Sequence, residues 1–382
     1  MRVAYVSTDP GISPTGTKGA SIHMRAILGA LLRMGAEVTL FAPPSRAPLP
    51  EDLAAVTWVP LPKPAKGAPE VRERALIAAN ACLAQAMEDH GPFDLIYERH
   101  ALFSDAAMQF GAARRIPSVL EVNAPLLEEQ RRHRVLQNSD EAAARARSSI
   151  SAADRIIAVS DAVGAYAEGF GARSVKVVPN GVDADRFAVP PGFRPPFTLG
   201  FVGTLKPWHD VACLIDALAL VRRSVRDARL LVVGDGPERP ALEAQAREGG
   251  LVDAVDFHGA APSQDIPALL ARMHVGLAPY RGGDPFYFSP LKIYEYMAAG
   301  LPVLVSDRGN MRDVVLPPRA GAVVPPDDPA ALAEAIVHLA QNPSVGRARG
   351  QRGRAHVIRT ASWDHVLRAS LDGLPLPSVL AA

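Results

Sequence analysis

Residues 199–221 read LGFVGTLKPWHDVACLIDALALV, and this stretch decides the fold. A short apolar run (199–202) reads as a strand. A Gly-rich polar loop (203–210) follows, and then an apolar helix (211–221). The same scheme continues with a strand at 230–233 and the turn Gly234-Asp235-Gly236-Pro237. Further strand-like runs follow at 255–258, 275–278, 302–306 and 322–324. The first half of the chain runs in the same way. A strand at 3–6 leads into a polar loop (7–19). A helix then carries Ala20, Ile22, Ile27, Leu28, Leu31 and Leu32 near helical spacing and closes at Gly35. Strands follow at 37–41, 95–97, 118–122, 155–159 and 175–178. Strands that alternate with helices mean parallel sheets covered on both faces, hence an α/β protein in two similar halves. Between the halves lies VPPGFRPPF (189–197), too rich in Pro and Gly for helix or central strand. The expected organisation is a first domain at 1–188, a hinge at 189–197 and a second domain at 198–359. A terminal helical segment (360–382) is expected to pack back on the first domain.

Length and composition agree. At 382 residues the chain exceeds one ordinary domain. With 48% hydrophobic and 21% charged residues it has matter for real cores, which excludes a disordered chain. Lys and Arg (41) nearly balance Asp and Glu (40), so a strongly basic nucleic-acid binder is not expected. Cys82 and Cys213 stand apart from each other and from any Cys/His cluster, which argues against a disulfide scaffold and a metal site. No apolar run approaches the ~20 residues of a membrane span, and MRVAYVSTDP reads as a strand, not a signal peptide. A cytoplasmic protein is expected, with any membrane contact peripheral, at the inner face. The basic run Arg131-Arg132-His133-Arg134 reads as a solvated helix face.

Open parallel sheets bind ligands beyond the carboxyl ends of their strands, so residues just after strands carry the most weight. Gly16-Thr17-Lys18-Gly19 opens a helix, where backbone N–H groups and the dipole suit a phosphate. A plain strand-to-helix turn explains it equally well. Gly203, Thr204, Lys206 and His209 follow the first strand of the second half. Lys206 and His209 could meet an anionic group, while Trp208 reads as packing beneath the loop. The GDGP turn read alone is structural. In YFSPLKIYEYMAAG (287–300), Ser289 fits an N-cap, Pro290 the first helical position and Gly300 the end. Lys292 then stands in the first turn, where a cation opposes the helix dipole and a bound anion would resolve the conflict. Glu295, three residues on, shares a similar face and could accept sugar hydroxyls. A solvated Lys–Glu pair is the plainer alternative. Glu98, Arg99 and Asn123 end two strands of the first sheet, as substrate contacts or as salt bridges across strand ends.

Taken together, these residues resemble the retaining glycosyltransferases of family 4, the glycosyl transferases group 1, which have the GT-B fold. The resemblance spans nearly the whole chain. It rests on GTKGASIH (16–23), IIAVSDAV (156–163), VVPNGVDADRF (177–187), LLVVGDGPE (230–238) and SPLKIYEYMAAGLPVLVSD (289–307), in that order. It implies two Rossmann-like parallel-sheet domains facing a central cleft. It further implies transfer of a hexose-type sugar from a nucleotide-diphosphate-sugar, most readily a UDP- or GDP-sugar, to an acceptor hydroxyl. Configuration would be retained, with no metal and no other cofactor. The acceptor would be a glycan, a glycolipid or a small molecule bound mainly to the first domain, and the donor would bind mainly to the second.

By the same resemblance, Gly19 offers its backbone to the donor diphosphate and Glu295 bonds the nucleotide ribose. The helix start from Ser289 through Leu291 to Lys292 holds phosphate and sugar, and His258 borders the base. Gly203, Thr204, His209 and Gly234 complete the donor set. Three positions depart from the family pattern. Asn123 stands where many members carry a histidine that touches the donor sugar. Thr204 and His209 stand where many carry an Arg and a Lys, which leaves Lys206 to supply part of the charge. Tyr287 falls near the first of two paired glutamates. The expected catalytic set is Asn123, Lys206, Lys292 and Glu295. Lys206, Lys292 and the helix N-termini would stabilise the diphosphate as negative charge grows there in the transition state. The expected setting is bacterial glycan or glycoconjugate synthesis. Two rival readings are a nucleotide-sugar epimerase on the same architecture and an inactive nucleotide-binding homologue. The absence of GxGxxG after the first strand speaks against a nicotinamide oxidoreductase.

Overall fold

The computed structural model describes residues 1–64, 67–133, 135–189, 194–283, 286–287 and 289–376. The chain divides into two compact units. One comprises Met1–Asn180 with Tyr287–Ser289 and Trp363–Ala382, and the other comprises Gly181–Phe286 with Pro290–Ser362. The boundary thus falls eight residues before the expected 188. The reason is packing: Val182 and Phe187 are buried in the core of the second unit, and Arg354 Nη1 donates to the Phe187 carbonyl at 2.7 Å. The Pro-rich stretch at 189–197 lies partly outside the described residues.

The first unit holds a parallel sheet of β1 (Arg2–Val6), β2 (Glu37–Ala42), β3 (Thr57–Pro60), β4 (Leu95–Arg99), β5 (Ser118–Val122), β6 (Arg155–Ala158) and β7 (Val175–Val177), in the order 3-2-1-4-5-6-7. Val3 to Val6 are fully buried, as a central parallel strand requires. The helix Gly19–Arg33 buries Met24, Ile27, Leu28 and Leu31, one apolar stripe at helical spacing. The helix Trp363–Leu371 packs on it: the Trp363 ring lies tilted at 4.8 Å from His23, and Asp364 bonds Arg33. Strand β3 has no counterpart in the sequence reading. Its four residues are half exposed, sit at the sheet edge and end in proline, so they form neither a buried run nor an alternation.

The second unit repeats the scheme with β8 (Thr198–Val202), β9 (Arg229–Val233), β10 (Val255–Gly259), β11 (Val275–Ala278), β12 (Val303–Ser306) and β13 (Gly321–Val324), in the order 10-9-8-11-12-13. In each sheet the chain order reverses beside the first strand, between β1 and β4 and between β8 and β11. Loops that leave two such neighbours diverge and open a crevice at the strand ends. In the second unit these loops carry Gly203–Asp210 and the segment that leads to the helix Leu291–Ala298.

Candidate functional site

The crevice of the second unit is built around Lys292. It is the second residue of the helix Leu291–Ala298, whose first turn has neither an acidic residue nor a side-chain cap. Its side chain is buried, and its Nζ has no hydrogen-bond partner among the described residues. Aromatic rings surround the amine, with the Phe201 centroid 4.2 Å and the Tyr280 centroid 5.6 Å from Nζ. Both rings come from strand ends, Phe201 in β8 and Tyr280 just beyond β11. Burial lowers the Lys292 pKa to about 7, against a smaller opposing pull from Glu295.

Gly203 makes room for this amine. It has φ +152, and a Cβ there would lie 2.7 Å from Lys292 Nζ. Gly234 (φ +147) serves the loop in another way. A Cβ on it would come within 1.8 Å of the Gly203 carbonyl oxygen, and its own N–H donates to Gly259 at 2.8 Å. Gly234 therefore shapes the loop and keeps no N–H for a ligand, in contrast to its expected donor contact. His209 also departs from expectation. Its Nδ1 donates to the Thr204 carbonyl at 2.5 Å, and burial together with the charge of Lys292 lowers its pKa to about 3. It is a neutral ring beside the ammonium and cannot take the place of a second cation. Thr204 is exposed. Lys206 is half-buried, with Nζ 5.7 Å from the Trp208 ring centroid. Glu295 is half-buried, and burial raises its carboxyl against the pull of Arg186 and Lys292. His258 is exposed on the outer strand β10, two strands from β8.

The first unit has its own polar centre. Glu121 of β5 is buried and collects hydrogen bonds from His23 Nε2 (3.0 Å), the Tyr97 hydroxyl (2.8 Å), Arg99 Nη1 (3.0 Å) and the Asn123 amide. Burial pushes its carboxyl up, but pairing with His23 and Arg99 and the Asn123 bond hold it down at about 2. A salt bridge across these strand ends, Arg99–Glu121, is present. Glu98 faces the interior, bonded to Ser104 at 2.9 Å, with burial raising its pKa to about 8. Gly19 is exposed at its helix start. Ser289 is not an N-cap. Pro290 holds that position, while the Ser289 hydroxyl accepts from the Asn180 N–H at 3.1 Å and its carbonyl from the Asn180 amide at 2.5 Å.

Residues 17–186 match the family model described as Glycosyltransferase Family 4, and residues 196–342 match that of Glycosyl transferases group 1. The chain belongs to glycosyltransferase family 4. It is similar to the phosphatidyl-myo-inositol mannosyltransferase of Mycobacterium leprae, at 36% identity over 216 residues, covering 55% of this chain and 56% of that one. It is also similar to the GDP-mannose-dependent alpha-(1-6)-phosphatidylinositol monomannoside mannosyltransferase of Mycobacterium tuberculosis, at 30% over 225 residues (55% and 58%). The match spans a little over half the length of these relatives. Among solved structures, sucrose-phosphate synthase from Thermosynechococcus elongatus superposes with a TM-score of 0.71 at 21% identity over 96% of both chains. Anabaena HepE in complex with UDP gives 0.68 at 21%, over 96% of this chain and 98% of that one. These likenesses establish the fold, the two Rossmann-like sheets of GT-B.

Within this family 4 chain, the structure gathers Gly203, Thr204, His209 and Lys292 around one crevice. It places Gly19, Asn123 and Ser289 in the first unit. The sequence reading missed Phe201 and Tyr280, although the strand-end rule that singled out Gly203 could have found both. It also missed the convergence on Glu121, whose partner His23 is 98 residues away. Among the described residues no helix is long and apolar enough to cross a membrane.

Proposed function

We propose that this chain transfers a hexose from a nucleotide-diphosphate-sugar to a hydroxyl acceptor, with retention of configuration and without a metal ion. The observation that carries the reading is the Lys292 ammonium, buried, without an acceptor among the described residues and set at the strand-order reversal of the second sheet. A buried amine without a partner is costly, and a diphosphate would supply the missing acceptor. As the anomeric C–O bond breaks, negative charge grows on the leaving diphosphate. Lys292 and the start of the helix Leu291–Ala298 then stabilise it, and Lys206 adds charge from the loop. The acceptor hydroxyl bonds to the anomeric carbon from the leaving-group side, and its proton passes to the diphosphate. Glu295 accepts from the nucleotide ribose. In this reading His209 is a neutral wall of the site and Gly203 is the gap through which Lys292 reaches the phosphate. The mannosyltransferase relatives make GDP-mannose the first donor to test, with phosphatidyl-myo-inositol as the first acceptor.

The test is thermal shift with UDP, GDP, ADP, CMP and dTDP, followed by release of nucleotide from the matching sugar donor with and without the lipid. A nucleotide at 100 times its dissociation constant adds about 2.7 kcal/mol of stability. A selective shift with acceptor-dependent nucleotide release supports the transferase. Absence of a shift with every nucleotide overturns it. Donor turned into a different nucleotide-sugar without acceptor would favour an epimerase.

A further inference from the structure

In the second unit the helix Pro343–Thr360 reads PSVGRARGQRGRAHVIRT, with five arginines and no acidic residue. Elsewhere the chain pairs its helical arginines one turn away, Arg74 with Glu70, Arg145 with Glu141 and Arg239 with Glu243. That is how a solvated surface helix balances its charge. None of the five arginines here joins an ion pair among the described residues.

Packing turns the charge outward. Gly346, Gly350, Gly353 and Val357 form the buried side. A Cβ on Gly350 would fall 1.8 Å from the Gly300 carbonyl oxygen, so backbone meets backbone and leaves no depth for a long side chain. Arg354 is the exception, donating to the Phe187 and Ala298 carbonyls. Arg347, Arg352 and Arg359 are exposed, with Gln351 and Ala355 between them. Arg352 Nε and Nη2 both donate to the Arg319 carbonyl, at 3.2 and 3.1 Å, which brings the exposed Arg319 beside the helix. The like charges crowd one another: burial, and after it the charge of Arg352, lowers the Arg349 pKa from its ordinary value. Two apolar side chains stand out in water beside this charge. Ile358, about three turns from Arg347 and on the same line of the helix, is 52% exposed. Leu316, in the turn before Arg319, is 38% exposed.

We propose that this face is an interaction surface for an anionic lipid bilayer. The helix lies flat on the headgroups, Arg319, Arg347, Arg352 and Arg359 meet lipid phosphates, and Ile358 and Leu316 enter the boundary beneath them. Guanidinium forks fit phosphate oxygens in pairs. A nucleic acid or an acidic protein would meet the same arginines but gives the two apolar side chains nothing to enter. The surface belongs to the second unit, and the proposal holds whether or not the chain is a transferase.

Co-sedimentation of the whole chain with vesicles, without nucleotide or sugar, tests it. The protein should sediment with equal parts of phosphatidylcholine and phosphatidylglycerol, and not with phosphatidylcholine alone. Each arginine at an anionic surface is worth about 1 kcal/mol, or about five-fold, so Arg347→Glu with Arg359→Glu should lose about 25-fold or more. Neither side chain has a hydrogen-bond partner among the described residues, so both can change without disturbing the fold. Arg347→Lys with Arg359→Lys should stay within about five-fold of wild type. Arg223→Glu with Arg226→Glu, the same charge change at exposed positions outside this helix, should bind as wild type does. Ile358→Asn should weaken vesicle binding by about five-fold and leave binding to heparin, a soluble polyanion, unaltered.

No preference for the anionic vesicles, or equal loss in the Arg223 and Arg226 pair, overturns the proposal. Vesicle binding indifferent to Ile358→Asn would assign the face to a soluble polyanion and overturns it too. Affinity for GDP and UDP, measured by calorimetry, should be the same in every variant. A wild type that binds vesicles and no nucleotide would defeat the donor reading and leave this one standing.

Discussion

Lys292 Nζ lies 4.2 Å from the centre of the Phe201 ring, and no acceptor among the described residues reaches it. The ring face offers a cation–π attraction worth about 2 kcal/mol when desolvated. That is smaller than the cost of burying an amine, so the site is held under electrostatic tension until an anion enters. Folding supplies this tension. The helix Leu291–Ala298 is fixed by the buried Ile293, Tyr296 and Met297, and Lys292 goes where they put it.

Lys292→Met should therefore separate stability from binding. Methionine fills the same space, packs on the Phe201 and Tyr280 rings and removes the unpartnered amine. Thermal unfolding of the unliganded protein should rise by about 1–3 kcal/mol. Diphosphate affinity should fall, and turnover should drop about 10²-fold or more, as for loss of one preorganised charge-stabilising donor. A variant less stable than wild type, or one that binds nucleotide equally well, would contradict this account of the amine.

The same lysine makes binding depend on proton supply. Its pKa is about 7 folded and 10.5 in the unfolded chain. Between these values the unfolded state holds more protons, so stability should rise with pH from about 7 towards 10, by no more than about 1.4 kcal/mol per pH unit. Diphosphate binding needs the ammonium, so above pH 7 it should take up a proton and weaken. Calorimetry of the best-binding nucleotide at pH 8, in buffers of different ionisation enthalpy, reads the uptake directly. In Lys292→Met both the rise in stability and the uptake should vanish.

The legible part of this molecule was what local pattern carries. Twelve of the thirteen strands among the described residues were visible as apolar runs, and Lys292 stood out because a cation in a first turn works against the helix dipole. What the sequence could not announce depends on partners far along the chain. Ser289 has the residue type of a cap, yet it is taken by Asn180, 109 residues away. His209 looks like a candidate cation, but burial, with the charge of the nearby Lys292, lowers its pKa and keeps it neutral. Asn123 looks like a simple loss of a histidine. The orientation of its amide follows from the ionised Glu121 on the same strand, which His23 and Arg99 keep ionised.

Gly203→Ala and Gly234→Ala should fail in different ways. At Gly203 the added methyl meets the flexible end of Lys292, so the amine is displaced and nucleotide affinity should fall. The positive φ adds strain of about 1–3 kcal/mol. At Gly234 the methyl meets the Gly203 backbone oxygen at 1.8 Å, and a backbone cannot step aside. Gly234→Ala should lose the larger share of stability, by about 2 kcal/mol or more over Gly203→Ala in denaturant titration. The reverse order would mean that the Gly203 loop is not held by the turn after β9.

Glu98→Gln isolates the opposite pH effect in the first unit. Burial raises the Glu98 carboxyl to about 8 from 4.5, and among the described residues only Ser104 bonds it. The folded state then holds the extra proton between pH 4.5 and 8. Glu98 therefore contributes stability that is complete below about pH 4.5 and is lost as pH rises through 8. Glutamine keeps the shape and can still accept from Ser104, and it carries no proton to lose. The variant should match wild type near pH 5 and exceed it at pH 8, with the difference growing steadily between. Unfolding by urea at half-unit pH steps measures it. Parallel curves for the two proteins across that range would mean that Glu98 is ionised in the folded state, with a counter-charge or water at its free oxygen.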